Sequence, residues 1–182
     1  YSAEKRQDVL LNAVKHSKYC DKIQIILAGN GPKKKKLEKI GSKLPNKPIF
    51  VFLNKDQLIE TINYCDLYVH ASDVEIEGIG CMEAISCGLV PVLSDSSNAA
   101  LTQFALDERN LFKHGDPKDL AKKIDYWIEH PEEKAKQSKE YVKFMDDFKI
   151  DKCMDKMEEM FKYVLEESKK NKGDIKAKNE SK

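Results

Sequence analysis

Short apolar runs alternate with amphipathic stretches along most of this chain. Residues 3–18 place Val9, Leu10, Ala13 and Val14 at helical spacing. Ile23 to Ala28 is a mostly apolar run that stops at Gly29-Asn30-Gly31-Pro32, the mark of a buried strand and a tight turn. Pro32 suits the first turn of a lysine-rich helix reaching about Leu44, and Pro45-Asn46-Lys47-Pro48 breaks it. Ile49 to Leu53, Asp66 to His70, Val90 to Leu93 and Asn110 to Lys113 read as further strands. Between them lie a short helix from Asp56 to Tyr64, with Leu58, Ile59 and Ile62 inward, and another from Ile79 to Cys87. Asp116 and Pro117 predict a helix start, the aspartate as cap and the proline at the first helical position. Leu120, Ile124, Trp127 and Ile128 supply that helix's apolar face up to Pro131. Two more helices follow over 132–146 and 150–167.

This alternation predicts an α/β domain: a parallel sheet with helices on both faces. Ligands of such sheets bind at the carboxyl ends of the strands, which is where Gly29-Asn30-Gly31 and the segment after His70 fall. Residues 1–167 are expected to form one domain with C-terminal helices. Met154, Met157, Met160, Phe161, Val164 and Leu165 make a stripe read as core or domain-contact surface. From residue 168 to 182 no apolar period remains, which predicts a polar, disordered tail.

The composition narrows the function classes. The 182 residues are 41% hydrophobic and 35% charged, and the net charge is +1, so no overall field speaks for nucleic acid. The lysines are uneven: Lys33 to Lys36, Lys39, Lys43 and Lys47 face only Glu38 in their stretch. That is a solvated helix face or a surface for anionic lipid headgroups. Cys20, Cys65, Cys81, Cys87 and Cys153 are odd in number and form no Cys-x-x-Cys pair, which predicts buried free thiols in a reducing compartment. His16, His70, His114 and His130 lack metal-ligand spacing, so no metal site is expected. No run of ~18 apolar residues suggests a membrane span. A cytoplasmic protein, peripheral on the inner face of the cell membrane, is the expected setting.

The candidate chemistry lies in Ala71-Ser72-Asp73-Val74-Glu75-Ile76-Glu77-Gly78-Ile79-Gly80-Cys81-Met82-Glu83-Ala84. It reads strand, glycine-rich bend, helix. Gly78 and Gly80 let a ligand approach the backbone closely. The helix from Ile79 turns unpaired N–H groups and its positive dipole end to the same place, suited to a diphosphate. Glu75 and Glu83 can accept hydrogen bonds from sugar hydroxyls, Glu83 from a vicinal pair such as that of a ribose. A nucleotide sugar combines both kinds of group.

The segment resembles the Glu-x7-Glu signature of retaining glycosyltransferase family 4, the group 1 glycosyltransferases of the GT-B fold. Glu75, Gly78, Glu83, Ala84, Cys87, Gly88, Pro91 and Val92 match it in register. Tyr1-Ser2-Ala3-Glu4-Lys5 is similar to the end of the family's Gly-Arg-x-x-x-x-Lys segment, Ala28 to Pro32 to its Gly-x-Gly-Pro turn, and Asp66 to Ser72 to the strand before the signature. Asp116-Pro117 matches the late Gly-Asp-Pro helix start. The resemblance implies a Rossmann-like domain, the C-terminal donor-binding half of a GT-B enzyme, with an N-terminal acceptor half absent from the chain. It implies catalytic roles for Glu75, on the transferred sugar, and Lys5, on the diphosphate. It implies donor contacts at Gly29, Gly31, Gly78, Ile79 and Gly80, at Glu83 for the ribose, and at the backbone near Leu53 and Asn54 for the nucleobase.

The reaction so implied moves a hexose, glucose by frequency, from a nucleotide diphosphate sugar such as UDP-glucose with retained configuration and no cofactor or metal. The partners are that donor and a lipid, sterol or saccharide acceptor. Glu77 departs from the pattern, standing where the family has an aromatic residue. The Glu-Ile-Glu-Gly variant is similar to members that glucosylate lipids, bacterial cholesterol α-glucosyltransferases among them. Competing readings are a glycosyltransferase of capsule or lipopolysaccharide biosynthesis, a glycosidase using the two glutamates, a GT-B epimerase, and a non-catalytic nucleotide-binding module.

Overall fold

A computed structural model describes residues 1–180, with side chains placed through Ser168. The chain separates into two compact units, Tyr1–Val142 and a second beginning at Lys143. The first unit alternates helix and strand: α1 (Gln7–His16), β1 (Ile26–Ala28), α2 (Lys34–Gly41), β2 (Ile49–Val51), α3 (Lys55–Asn63), β3 (Tyr68–His70), α4 (Ile79–Ser86), β4 (Pro91–Ser94), β5 (Leu111–Phe112) and α5 (Pro117–Glu129). α6 (Pro131–Met145) and α7 (Ile150–Glu180) follow.

All described strand pairs are parallel, as expected for strands joined by helices. The ladders fall into two groups, β1–β2 and β3–β4–β5, where the sequence predicts one continuous sheet. The strands are two to four residues long, shorter than their apolar runs, so each ladder is brief. β4 is buried at all four positions, which explains why Pro91-Val92-Leu93 carries no alternation.

Helix ends follow the local chemistry. Asn54 and Gln57 form a reciprocal capping box at the start of α3. The Asp116 side chain accepts from the Lys118 and Asp119 N–H groups, and Pro117 follows at the first helical position of α5. In α1 the buried residues are Val9, Leu11, Ala13 and Val14, so Leu11 takes the place predicted for Leu10. The helix packs against both α2 and α5, and one stripe of spacing describes only one of these contacts. The α5 partner is held by Asp125, which accepts from Ser17 Oγ at 2.5 Å and the Lys18 N–H at 3.1 Å. Ile128, assigned to the apolar face of α5, is 40% exposed.

Three further expectations change. The cysteines are free, but only Cys81 is buried and Cys153 is exposed. Met154, Met157, Met160, Phe161, Val164 and Leu165 of α7 are likewise exposed, so this stripe is not core. α7 continues past residue 167 to Glu180, where the sequence predicts a tail. Residues 181–182 of the predicted tail lie outside the described residues. No described helix is long and apolar enough to cross a membrane.

Candidate donor site

The carboxyl ends of β1, β2 and β3 lead directly into the three loops that the sequence singles out. After β1, Gly29 and Gly31 take φ of 133° and 155°. A β-carbon on Gly31 would collide with the backbone of Tyr1, whose carbonyl accepts from the Lys33 N–H at 3.0 Å. After β2, half-buried Leu53 leads to Asn54, whose side chain, N–H and carbonyl are all engaged at the start of α3.

The loop after β3 is tied to the first residues of the chain at three places. The Asp73 N–H donates to the Glu4 carbonyl at 2.7 Å. Arg6 Nη1 reaches both carboxylate oxygens of Asp73, at 2.9 and 3.1 Å. Lys5 Nζ meets Glu75 Oε2 at 2.5 Å. Among the described residues Arg6 is the only non-glycine with positive φ, at 46°, and its guanidinium is anchored by Asp73 and Asp8. That conformation is unfavourable for an L-residue with a side chain by ~1 kcal/mol. It turns the chain into α1 while Lys5 is held over Glu75. From the far side, Ala100 N–H donates to the Glu75 carbonyl at 2.9 Å, and Ser96 Oγ donates to the Asp73 carbonyl at 2.6 Å.

Gly78 is the left-handed N-cap of α4 at φ 72° and has no capping side chain. Ile79 and Gly80 open the helix and are exposed, so its first N–H groups face solvent. Glu83 is half-buried one turn further on, and Glu77 is exposed. Burial pushes the Tyr68 phenol well up, and the negative charges of Glu75 and Glu83 add to the rise. Lys5, Glu75, Gly78, Ile79, Gly80 and Glu83 thus share one end of β3 and α4. Gly29 and Gly31 connect to them through residues 1–6. Leu53 and Asn54 lie beyond β1, reached through the Gly29 N–H to Val51 carbonyl bond of 2.8 Å.

The sequence does not single out His70 as part of the site, yet its ring lies beside Glu75, with Nε2 3.1 Å from Oε2. Arg6 and Asp73 are likewise additions from the structure. The signal available in the chain is weak: a histidine closing a strand and an arginine after the matched lysine. Burial raises the Glu75 carboxyl, but the Lys5 ammonium and His70 outweigh it, and the net pKa is lowered. A glycosidase acid needs the opposite shift. Burial lowers His70 from 6.5 despite the opposing pull of Glu75.

Both shifts have the same sign of linkage. Each depressed folded-state pKa contributes stability that is present above the unfolded value and lost as pH falls through the folded one. We expect urea unfolding to show loss of stability starting below 6.5 from His70 and below 4.5 from Glu75. H70Q should flatten the first step and E75Q the second. Unchanged profiles in both variants would show that neither group titrates as the geometry requires.

The model of the family described as Glycosyl transferases group 1 matches residues 1–144. The chain belongs to the group 1 glycosyltransferases. No curated protein matches it. Among solved structures, this group 1 glycosyltransferase is 47% identical to the catalytic domain of cholesterol-α-glucosyltransferase from Helicobacter pylori, with a TM-score of 0.79, covering 81% of this chain and 93% of that one. The fold is shared with Anabaena HepE in complex with UDP-glucose, at 22% identity and a TM-score of 0.71, over 81% of this chain and 42% of that one. It is also shared with WaaG, a glycosyltransferase involved in lipopolysaccharide biosynthesis, at 16% identity and a TM-score of 0.66, over 79% of this chain and 40% of that one. The chain therefore spans about two fifths of the length of these two. Among the described residues no group of His, Cys, Asp and Glu is placed to hold a metal ion.

Proposed function

We propose that this chain binds the donor of a retaining glycosyltransferase that moves glucose from UDP-glucose to a lipid or sterol such as cholesterol. The acceptor is met by an upstream half. The carrying observation is the Lys5–Glu75 pair at 2.5 Å beside the uncapped N-terminus of α4. An ammonium and a row of free N–H groups suit the leaving diphosphate, and a carboxylate suits hydroxyls of the transferred sugar. Glu83, one turn into α4, takes the ribose. The likeness to the Helicobacter pylori enzyme supports the sterol acceptor.

Donor binding would replace the Lys5–Glu75 contact with two better-matched ones, Lys5 to phosphate and Glu75 to hydroxyl. The acceptor hydroxyl then attacks on the face from which the diphosphate departs. A phosphate oxygen takes its proton, so neither glutamate becomes a nucleophile. Their contribution is orientation. The lysines of α2, mostly exposed, are proposed to meet anionic headgroups on the inner face of the cell membrane.

The test is product analysis with the full-length enzyme, labelled UDP-glucose and vesicles carrying sterol, diacylglycerol or oligosaccharide acceptors in turn. Labelled sterol glucoside is the expected product. Transfer only to diacylglycerol or oligosaccharide would overturn the acceptor. Glu83→Ala is expected to weaken donor use by ~1.5–3 kcal/mol through lost charged hydrogen bonds. Unchanged donor kinetics would remove Glu83 from the ribose site.

A further inference from the structure

We propose that His70 is a positioning residue for Glu75: its Nε2–H fixes the carboxylate that meets the donor sugar. The inference rests on the donor reading above and deepens it. His70 closes β3, with its ring held from both sides. Tyr68 Oη lies 2.8 Å from Nδ1, Ser72 Oγ 2.8 Å from Nε2, and Glu75 Oε2 3.1 Å from Nε2.

Electrostatics assigns the tautomer: an unprotonated Nε2 would set its lone pair against the Glu75 carboxylate at 3.1 Å, so Nε2 carries the proton, shared between Ser72 Oγ at 2.8 Å and Glu75 Oε2. The Tyr68 phenol has one hydrogen, and Nδ1 is its acceptor. This needs Nδ1 unprotonated and the ring neutral. An imidazolium would reverse this bond, with Nδ1–H donating to Tyr68 Oη and the phenol hydrogen turned away from the ring. Ser72 is fully buried, so it holds the ring without access for a ligand.

The charges bearing on the imidazole are Glu75, which favours its protonation, and Lys5, which opposes it. On the Tyr68 side lie Cys81 and Glu83 from α4. Burial decides the balance in favour of the neutral ring. Oε2 therefore accepts from two groups of different fate. Lys5, with its side chain 41% exposed, can leave for a phosphate. His70, enclosed by Tyr68 and Ser72, cannot. When a donor draws Lys5 away, the imidazole N–H still holds the carboxylate in its rotamer. This is the preorganisation a sugar contact needs.

The experiment measures calorimetric binding of UDP and of UDP-glucose to the wild-type chain, H70Q and H70F, with 15N NMR of the histidine rings. The glutamine of H70Q places an amide N–H where Nε2–H stands, whereas the phenylalanine of H70F keeps the bulk of the ring and loses all three polar contacts. We expect H70F to bind UDP-glucose about tenfold more weakly and UDP as the wild type does, because only the sugar meets Glu75. H70Q should recover most of the difference. Equal UDP-glucose affinity in H70F and wild type would overturn the role, and so would parallel loss of both ligands in H70F and H70Q, since that marks a merely structural histidine. If the wild-type chain binds neither ligand, the donor reading fails. The NMR spectrum then still decides the contact: a proton on Nδ1 rather than Nε2 overturns it.

Discussion

Glu75→Gln in the full-length enzyme will cut the rate of glucosyl transfer by ~10–100-fold while leaving the fold intact. The carboxylate accepts from both Lys5 and His70, and its pKa is lowered by that company. Glutamine keeps the shape but removes the charge, and its NH2 group cannot accept a hydrogen bond. Lost charge-assisted hydrogen bonds cost ~1.5–3 kcal/mol, about one to two decades in rate if they act mainly in the transition state. Lys5 would survive without its partner, being partly in water. Steady-state kinetics with UDP-glucose should place the loss in kcat rather than in KM for the acceptor. Transfer at the wild-type rate would mean that Glu75 does not touch the sugar.

Gly78→Ala will destabilise the chain by ~2–4 kcal/mol, because two costs combine. The left-handed φ of 72° is unfavourable for alanine by ~1 kcal/mol. A β-carbon there would lie 2.8 Å from Leu101 Cδ2 and 3.3 Å from Phe104 Cε2, and overpacking of that kind adds ~1–3 kcal/mol. Leu101 and Phe104 are themselves buried, so they have little room to retreat. Urea unfolding of wild type and variant gives the difference directly. A loss below ~1 kcal/mol would show that the turn after the Glu75 bend repacks freely. Because Gly78 also starts α4, donor binding should fall in the same variant.

Much of this was legible along the chain. The apolar run ending at Gly29 located β1, and Gly78 with Gly80 located the bend, since the backbone must turn there. Asp116-Pro117 announced the start of α5 through local hydrogen bonds alone. The Glu75–Glu83 interval marked the site because both ends belong to one bend and one helix.

What escaped was tertiary. The Lys5–Glu75 and Arg6–Asp73 pairs join residues far apart in sequence, and nothing local requires them. The positive φ of Arg6 was unreadable because glycine, the usual marker, is absent there. His70 sits in a strand too short for alternation to say which way it points. The exposed stripe of α7 has helical period but no partner that periodicity could name.

The bond from the Asp73 amide to the Glu4 carbonyl has a practical meaning. It fastens the opening residues to the loop that carries Glu75. Its hydrogen can leave for deuterium only when those two segments part. The exchange rate at this single amide is therefore a built-in gauge of how often the cleft loosens. It should slow when a nucleotide sugar draws both walls together, which would make ligand occupancy readable without any label.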